Sequence, residues 1–361
     1  MKKLYFILSI FILTACQKDK DNQSYEWVDI SLEAEIHLQN IQMLTEDIGY
    51  VAGFAGSTPF VRECYDAHLQ SDTNYISIDN SLPISSCYII DTVKSLTSMY
   101  KTTDGGRNWR PVNLPFSKYK SMSFVDENCG FVLSYDGLYK TVNGGNTWKI
   151  ILENKAVMEN NAITPAFDKI KFINNHTGFL FSNNFRGDCL LVSVTGNGDL
   201  KKIISKPFDN PILIPFVNKI EHLPTQPDKV YFLTLDRLYK SDENSANWHL
   251  LQDSVSFNDV SFINESVCFA TLPGLLIKSS DGGENWHKIA TVAVPFNKLK
   301  AINENLIYIS DNADIYKSED GGINFRQMSK PAGEITQFCF PTAETGFAIG
   351  PNGTILKYSG K

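Results

Sequence analysis

The sequence predicts an all-β fold: a seven-bladed β-propeller of four-stranded antiparallel blades, closed by its own N-terminal strand. Three observations lead there. A ten-residue pattern recurs along most of the chain, at spacings of about 40 residues, the length of one blade. Two short runs of β-forming residues precede each clear copy. The last unit stops one strand short, and a strand of the missing type stands near residue 27.

The pattern is clearest in residues 100–109, Tyr-Lys-Thr-Thr-Asp-Gly-Gly-Arg-Asn-Trp. It returns in residues 139–148, 277–286 and 316–325, in worn form in 239–248, and most weakly in 193–200, where Leu200 takes the Trp place. Asp-Gly-Gly between two apolar stretches signals a hairpin turn, because glycine supplies a positive φ without strain. The side chains of Asp104, Asn143, Asp281 and Asp320 are suited to bond backbone N–H groups within their own turns. Trp109, Trp148, Trp248, Trp286 and Phe325 each begin a return strand and cover the turn with an apolar face. A residue repeated in a repeated turn is there for the turn, so these aspartates are read as structural rather than catalytic or metal-binding.

The strands before the turns are legible as well. Residues 121–125 and 130–133 lead into the turn at Asn143, and residues 260–263 and 268–271 into the turn at Asp281. With the strand after the turn, this makes four per unit, the composition of a propeller blade. Successive Trp positions are 39, 52, 48, 38 and 39 residues apart, which gives six outer strands. The unit from about residue 335 to 358 has three strands. Trp27-Val28-Asp29-Ile30 repeats the Trp-x-x-apolar pattern and is expected to be the outermost strand of blade seven, leaving no open seam. Trp27 to Trp109 spans 82 residues, one blade plus an insertion at about 56–96.

The repeated turn is similar to the Asp-box, or bacterial neuraminidase repeat, and that resemblance also implies a propeller. The stretch at 346–357, Gly-Phe-Ala-Ile-Gly-Pro-Asn-Gly-Thr-Ile-Leu-Lys, together with Gly49-Tyr50-Val51-Ala52-Gly53, resembles the photosystem II stability and assembly factor-like propellers. This second resemblance implies a seven-bladed scaffold that binds protein.

The N-terminus reads as a targeting segment. Met1-Lys2-Lys3 is followed by an apolar run from Leu4 to Leu13 broken only by Ser9. A basic start, a short apolar core and small residues before a cut are the marks of a secretory signal. Leu13-Thr14-Ala15-Cys16 looks like a lipobox, which implies a signal peptide over 1–15, lipidation of Cys16 and a polar tether over 16–25. The run from Gln17 to Asp21 resembles the surface-export signals of Bacteroidota-type lipoproteins. The expected location is a bacterial cell envelope, lipid-anchored at the outer membrane, with surface exposure as the finer expectation.

The other six cysteines show no Cys-x-x-Cys spacing, so a zinc or redox site has no support. Cys64 and Cys87 share the insertion and are candidates for a disulfide in an oxidising compartment. Cys129, Cys189, Cys268 and Cys339 lie in or beside strands and read as single thiols. The six histidines have no ligand spacing, so no metal or other cofactor is expected. With 33 basic and 40 acidic residues, a net charge of -7 and no basic run beyond adjacent pairs, nucleic acid is not an expected partner.

In this strand order the Asp-Gly-Gly turns lie on one face. The loops between strands two and three and those between blades lie on the other, which is the expected binding face. It would carry the insertion, Tyr135-Asp136, Asp236-Arg237 and Asn183 to Asp188. Arg62, Arg186 and Arg237, three of six arginines, fall in these loops and are candidates to meet an anionic group.

Two function classes follow. The first is a non-catalytic envelope scaffold for binding or assembling a protein or glycan. The alternative is a glycoside hydrolase of sialidase- or glucanase-like propeller type. Sialidases need an early Phe/Tyr-Arg-Ile-Pro motif, absent here, and have six blades. Hydrolysis otherwise needs two facing carboxylates about 5–10 Å apart.

Overall fold

A computed structural model describes residues 26–361 except 56–62, 65–86, 89–95, 117, 155–156, 160–161, 165–166, 184–188, 206–216, 224–225, 235, 242–247, 292–295, 312, 332 and 361. The chain forms seven four-stranded antiparallel sheets, six of them ordered as their strands occur along the chain and the seventh completed by the strand at residues 27–29. Blade 1 holds Ile36–Met43, Gly49–Ala55, Leu96–Thr102 and Arg110–Pro111. Blade 2 holds Tyr119–Phe124, Gly130–Ser134, Gly137–Thr141 and Lys149–Glu153; blade 3 holds Lys169–Phe172, Thr177–Asn183, Cys189–Thr195 and Leu200–Ser205. Blade 4 holds Val217–Leu223, Gln226–Thr234, Leu238–Ser241 and Trp248–Gln252; blade 5 holds Asp259–Phe262, Cys268–Leu272, Leu275–Ser279 and His287–Thr291. Blade 6 holds Lys298–Ala301, Ile307–Ser310, Ile315–Ser318 and Arg326–Gln327. Blade 7 takes Gln337–Cys339, Thr345–Ile349 and Ile355–Ser359 from the C-terminal end, and Trp27–Asp29 as its outermost strand.

The expected closure is therefore observed. Trp27 pairs with Tyr358, Val28 with Lys357 and Asp29 with Leu356. Glu26 fastens the same corner: its carboxylate bonds the Arg326 guanidinium and accepts from Ser329 N, each at 2.9 Å.

Burial follows strand position. Second strands are enclosed by neighbouring blades on both faces, so Gly130–Ser134, Ile307–Ser310 and Thr345–Ile349 are buried throughout. Such strands read as continuous apolar runs rather than alternating ones. Outer strands such as Lys149–Glu153 and His287–Thr291 meet solvent. The core is divided into seven slabs, one at each blade junction. One joins Tyr50 and Met99 of blade 1 to Met122 and Val132 of blade 2, and another joins Leu38 and Val51 to Phe347 and Ile349 across the closure.

A stacked pair recurs in these slabs. An aromatic ring on the second strand lies on a ring at or just past the end of the first strand of the next blade: Tyr50 on Phe124 at 3.5 Å, Phe131 on Phe172 at 3.4 Å, Tyr231 on Phe262 at 3.7 Å, Tyr308 on Phe340 at 3.6 Å. The repeated Lys of the third strand lies against the same second-strand ring, as Lys101 does on Tyr50 and Lys140 on Phe131. Its ammonium then reaches the turn of the next blade. Lys357 donates to Gly105 O at 2.8 Å, Lys101 to Gly144 O at 3.3 Å and Lys140 to Gly196 O at 3.0 Å. One repeated residue thus stitches each of these blades to its successor.

Two small hairpins decorate the ring. Val157–Glu159 pairs with Ala162–Thr164 between blades 2 and 3. Within the insertion, between the second and third strands of blade 1, Glu63–Cys64 pairs with Cys87–Tyr88.

Candidate functional site: the loop face and the central channel

The repeated turns come first, because they decide what one face can offer. In the blade-1 turn, Asp104 Oδ1 accepts from Asn108 N at 2.9 Å and from the Thr102 hydroxyl at 2.9 Å, while Asn108 Nδ2 donates to Oδ2 at 2.7 Å. Gly106 N donates to Thr102 Oγ1 at 2.8 Å. Gly105 and Gly106 both have positive φ, 70° and 85°, which L side chains rarely adopt. The turns at Asp281 and Asp320 repeat these bonds, and in blade 2 Asn143 accepts from Thr147 N at 2.9 Å. Donation from Asn108 to Asp104, and from Asn285 and Asn324 to Asp281 and Asp320, holds these three carboxyls down at about 2. The carboxylates are committed to their own turns. A shallow groove of about 340 Å³ between blades 1 and 2 is lined by these same turn residues, with Lys101 and Arg110.

Trp109, Trp148, Trp286 and Phe325 are half-buried beside the turns, Trp248 is half-buried at the start of its strand, and Trp286 Nε1 donates to Gly283 O at 3.0 Å. Leu200, in the corresponding place of blade 3, is exposed.

On the opposite face, Tyr135 projects at 48% exposure from the loop between the second and third strands of blade 2. The ammoniums of Lys118 and Lys120 lie 5.4 and 4.5 Å from its ring centre. Lys120 also ion-pairs with Asp168 at 3.0 Å. Asp236 occupies the equivalent loop of blade 4 and accepts from Thr234 Oγ1 at 3.1 Å, so it holds its own turn. Arg237 lies against Asp253, Nε to Oδ1 2.7 Å. Arg62 and Arg186 lie outside the described residues, as does Cys16. The strand register sets Cys64 opposite Cys87.

Enclosed by the ring is the central channel, whose lining residues sequence reasoning missed. Each first strand carries two residues flanking one buried apolar residue: Asn40-Ile41-Gln42, Ser121-Met122-Ser123, Lys169-Ile170-Lys171, Lys219-Ile220-Glu221, Asp259-Val260-Ser261, Lys298-Leu299-Lys300 and Gln337-Phe338-Cys339. In five blades the flanking residues bond the first strand of the next blade. Gln337 Oε1 accepts from Ile41 N at 3.0 Å, Gln42 Oε1 from Phe124 N at 2.9 Å and Ser123 Oγ from Phe172 N at 2.8 Å. Lys219 donates to Val260 O at 2.7 Å, and Asp259 Oδ2 accepts from Leu299 N at 2.8 Å.

Blades 3 and 6 depart from this rule: all four flanking positions are lysines, and among the described residues none of them bonds the next blade's first strand as Lys219 does. Among the described residues no carboxylate lies within 4.0 Å of the ammonium of Lys169, Lys171, Lys298 or Lys300. Burial lowers the Lys169 pKa and Lys298, on a blade across the ring, lowers it further, against an opposing pull from Asp168; burial and the ammoniums of Lys219 and Lys300 do the same to Lys171, against an opposing pull from Glu221. His222 is held at about 4 by burial and by Lys171 and Lys300. Interaction between side chains of non-adjacent blades places these groups around the common axis. A search for adjacent basic residues passes over them, because a core residue separates each pair; the legible signal is Lys-x-Lys at one fixed position of the repeat.

The channel also holds two carboxylates that share one ammonium. Lys219 Nζ lies 2.9 Å from Asp259 Oδ1 and 3.8 Å from Glu221 Oε1. Asp259 is buried, and besides Lys219 it accepts from Val260 N and Leu299 N, each at 2.8 Å. Attraction to Asp259 and Glu221 outweighs burial and holds Lys219 above the ordinary lysine range. The pair is thus clamped around a cation. No group of His, Cys, Asp or Glu among the described residues is arranged to hold a metal ion. No helix among them is long and apolar enough to cross a membrane.

Solved structures share this architecture. YCF48 bound to a D1 peptide superposes with a TM-score of 0.64 at 16% identity, over 94% of this chain and 98% of that one. YCF48 from Cyanidioschyzon merolae gives 0.61 at 14% identity, over 92% and 98%. An ancestral GH74 enzyme gives 0.57 at 13% identity, over 91% of this chain and 46% of the enzyme. At these identities the likeness is one of fold. No protein-family profile matches the chain, and no curated protein matches it by sequence.

Proposed function

We propose that the protein is a non-catalytic envelope lipoprotein whose propeller binds a protein partner on the face carrying the insertion and the blade-to-blade loops. The observation behind this reading is the contrast between the two faces. The Asp-Gly-Gly turns spend their polar groups on themselves, whereas the opposite face presents Tyr135 with two ammoniums against its ring. Loops on a rigid scaffold are the usual place for recognition. A propeller of the same fold, YCF48, has been solved with a peptide bound, which supports a protein ligand here as well. A glycan ligand is the secondary reading. Anchoring would come from a lipidated Cys16.

The experiment is a pull-down from envelope extracts with the full chain and with a form whose residues 58–94 are replaced by a short Gly-containing turn. Loss of the partner with an unchanged melting temperature is expected. An identical partner set from both forms would move the site away from the insertion. For the anchor, Cys16→Ala is expected to shift the protein from the membrane to the soluble or unprocessed fraction; membrane partition at the mature size would overturn it.

The hydrolase reading rests on the GH74 likeness and on the Asp259–Glu221 pair. A general acid must hold a proton next to the leaving oxygen. Here the space between the two carboxylates is taken by the Lys219 ammonium, and both oxygens of Asp259 already accept backbone bonds. The geometry favours a structural clamp over an acid and base pair.

A further inference from the structure

We propose that the central channel is a binding site for an extended acidic peptide, held by Lys169 and Lys171 of blade 3 and Lys298 and Lys300 of blade 6. The inference builds on the protein-binding reading above and names the chemistry of a partner segment, at a location separate from the insertion.

The first argument is the break in the repeat. At the same two positions, blades 1, 2, 4, 5 and 7 place side chains that bond the next blade. A lysine can serve there by donation, as Lys219 does to Val260 O, but none of these four bonds the next blade's first strand among the described residues, and only Lys169 meets a ring, Phe181, at 5.9 Å. The second argument is the missing counter-charge. The fifth channel lysine, Lys219, is neutralised by Asp259 and Glu221, and Lys120 at the rim by Asp168. No carboxylate among the described residues lies within 4.0 Å of the remaining four, Asp168 and Glu221 pulling on Lys169 and Lys171 only from further off, in a chain whose net charge is -7. Crowding like charges disfavours the folded state, and a bound anion removes that cost. Lys169 and Lys298 are exposed while Lys171 and Lys300 are half-buried, so the charge runs from a wet mouth inward.

Spacing decides the class of anion. Lysines two apart on a strand present their side chains about 6.4–6.8 Å apart along the axis. An extended peptide with an acidic side chain at every second residue repeats at the same interval, and blades 3 and 6, three steps apart in a ring of seven, flank it on both sides. One phosphate would meet a single level of this ladder.

The test is fluorescence anisotropy with purified full-length protein and a labelled (Glu-Ser)5 peptide, with (Gln-Ser)5 as the neutral control. Binding of the Glu peptide that weakens with salt, at least tenfold tighter than the Gln peptide, is expected. Lys171→Gln with Lys300→Gln should weaken it at least tenfold, whereas Lys149→Gln with Lys288→Gln, on exposed outer strands, should leave it within twofold. The channel variant should melt at the same or a higher temperature, which separates lost binding from lost folding. Equal affinity of parent and channel variant, or of the two peptides, would overturn the proposal. Binding of tripolyphosphate without binding of the Glu peptide would overturn the assignment to a peptide. A partner captured through the insertion would stand in either case, so the two readings fail separately.

Discussion

Trp27 and Tyr358 face each other across the ladder that joins the two ends of the described chain, with ring centres 5.5 Å apart. Trp27 is 1% exposed, and it also meets Phe340 edge-on at 5.9 Å. Its indole N–H has no hydrogen-bond partner among the described residues. The residue therefore works through apolar contact alone.

Trp27→Ala is expected to lower stability by about 3–5 kcal/mol, the range for emptying a buried aromatic site. Trp27→Phe should cost much less, since it keeps a ring and removes an unpaired N–H. Urea unfolding followed by circular dichroism measures both. Equal losses from the two substitutions would show that something other than ring packing holds the seam.

The three aspartates of the repeated turns carry an acid sensitivity. Their folded pKa of about 2 lies below the ordinary 3.8, so they favour the folded state above pH 3.8, and that contribution is lost as pH falls toward 2. Blade 2 makes the same turn with Asn143. Replacing Asp104, Asp281 and Asp320 with Asn should leave a folded propeller whose melting temperature falls less between pH 4 and pH 2 than that of the parent.

His222 acts in a higher window. Its pKa of about 4 lies below 6.5, so protonation favours the unfolded chain, and stability falls as pH drops from about 6.5 toward 4. Burial sets it first, and the charges of Lys171 and Lys300 lower it further. The expected loss is on the order of 1–2 kcal/mol once screening by channel water is allowed for. His222→Gln should flatten the stability profile between pH 6.5 and 4.5, above the range of the turn aspartates.

Cys64 and Cys87 are expected to form a disulfide in protein isolated from an oxidising compartment, because their strands pair with the two residues in register. Mass spectrometry of a non-reduced digest would show the linked peptides. Reduction is expected to leave the propeller's melting temperature within a few degrees, since the bond closes a loop within an insertion rather than a blade.

The blade count and the closing strand were legible because the turn chemistry is local. Thr102, Asp104, Gly106 and Asn108 satisfy one another within seven residues, so the pattern survives in the sequence wherever the turn survives. The repeated Lys was visible, but its partner is the next blade's turn: Lys101 reaches Gly144, 43 residues on. The channel is more distant still. Lys169 and Lys298 become neighbours in charge only after the ring has closed. Leu200 marks another limit. Its place in the pattern was aligned correctly, yet it does not cover its turn as the tryptophans do.

The placement of residues 27–29 beside residues 355–359 has a kinetic meaning. Contacts of such long sequence separation form late, because the entropy of closing the loop must be met before the pairing rewards it. A chain made from its N-terminus onward can assemble the inner blades from neighbouring hairpins. Its first strand must wait for nearly the whole chain to be made. Until the seam pairs, residues 27–29 and 355–359 each lack the strand beside them, and the Leu38 and Val51 side of blade 1 lacks its cover from Phe347 and Ile349. An unclosed ring of this kind exposes two apolar faces and a bare strand edge, the surfaces by which one copy can exchange strands with another.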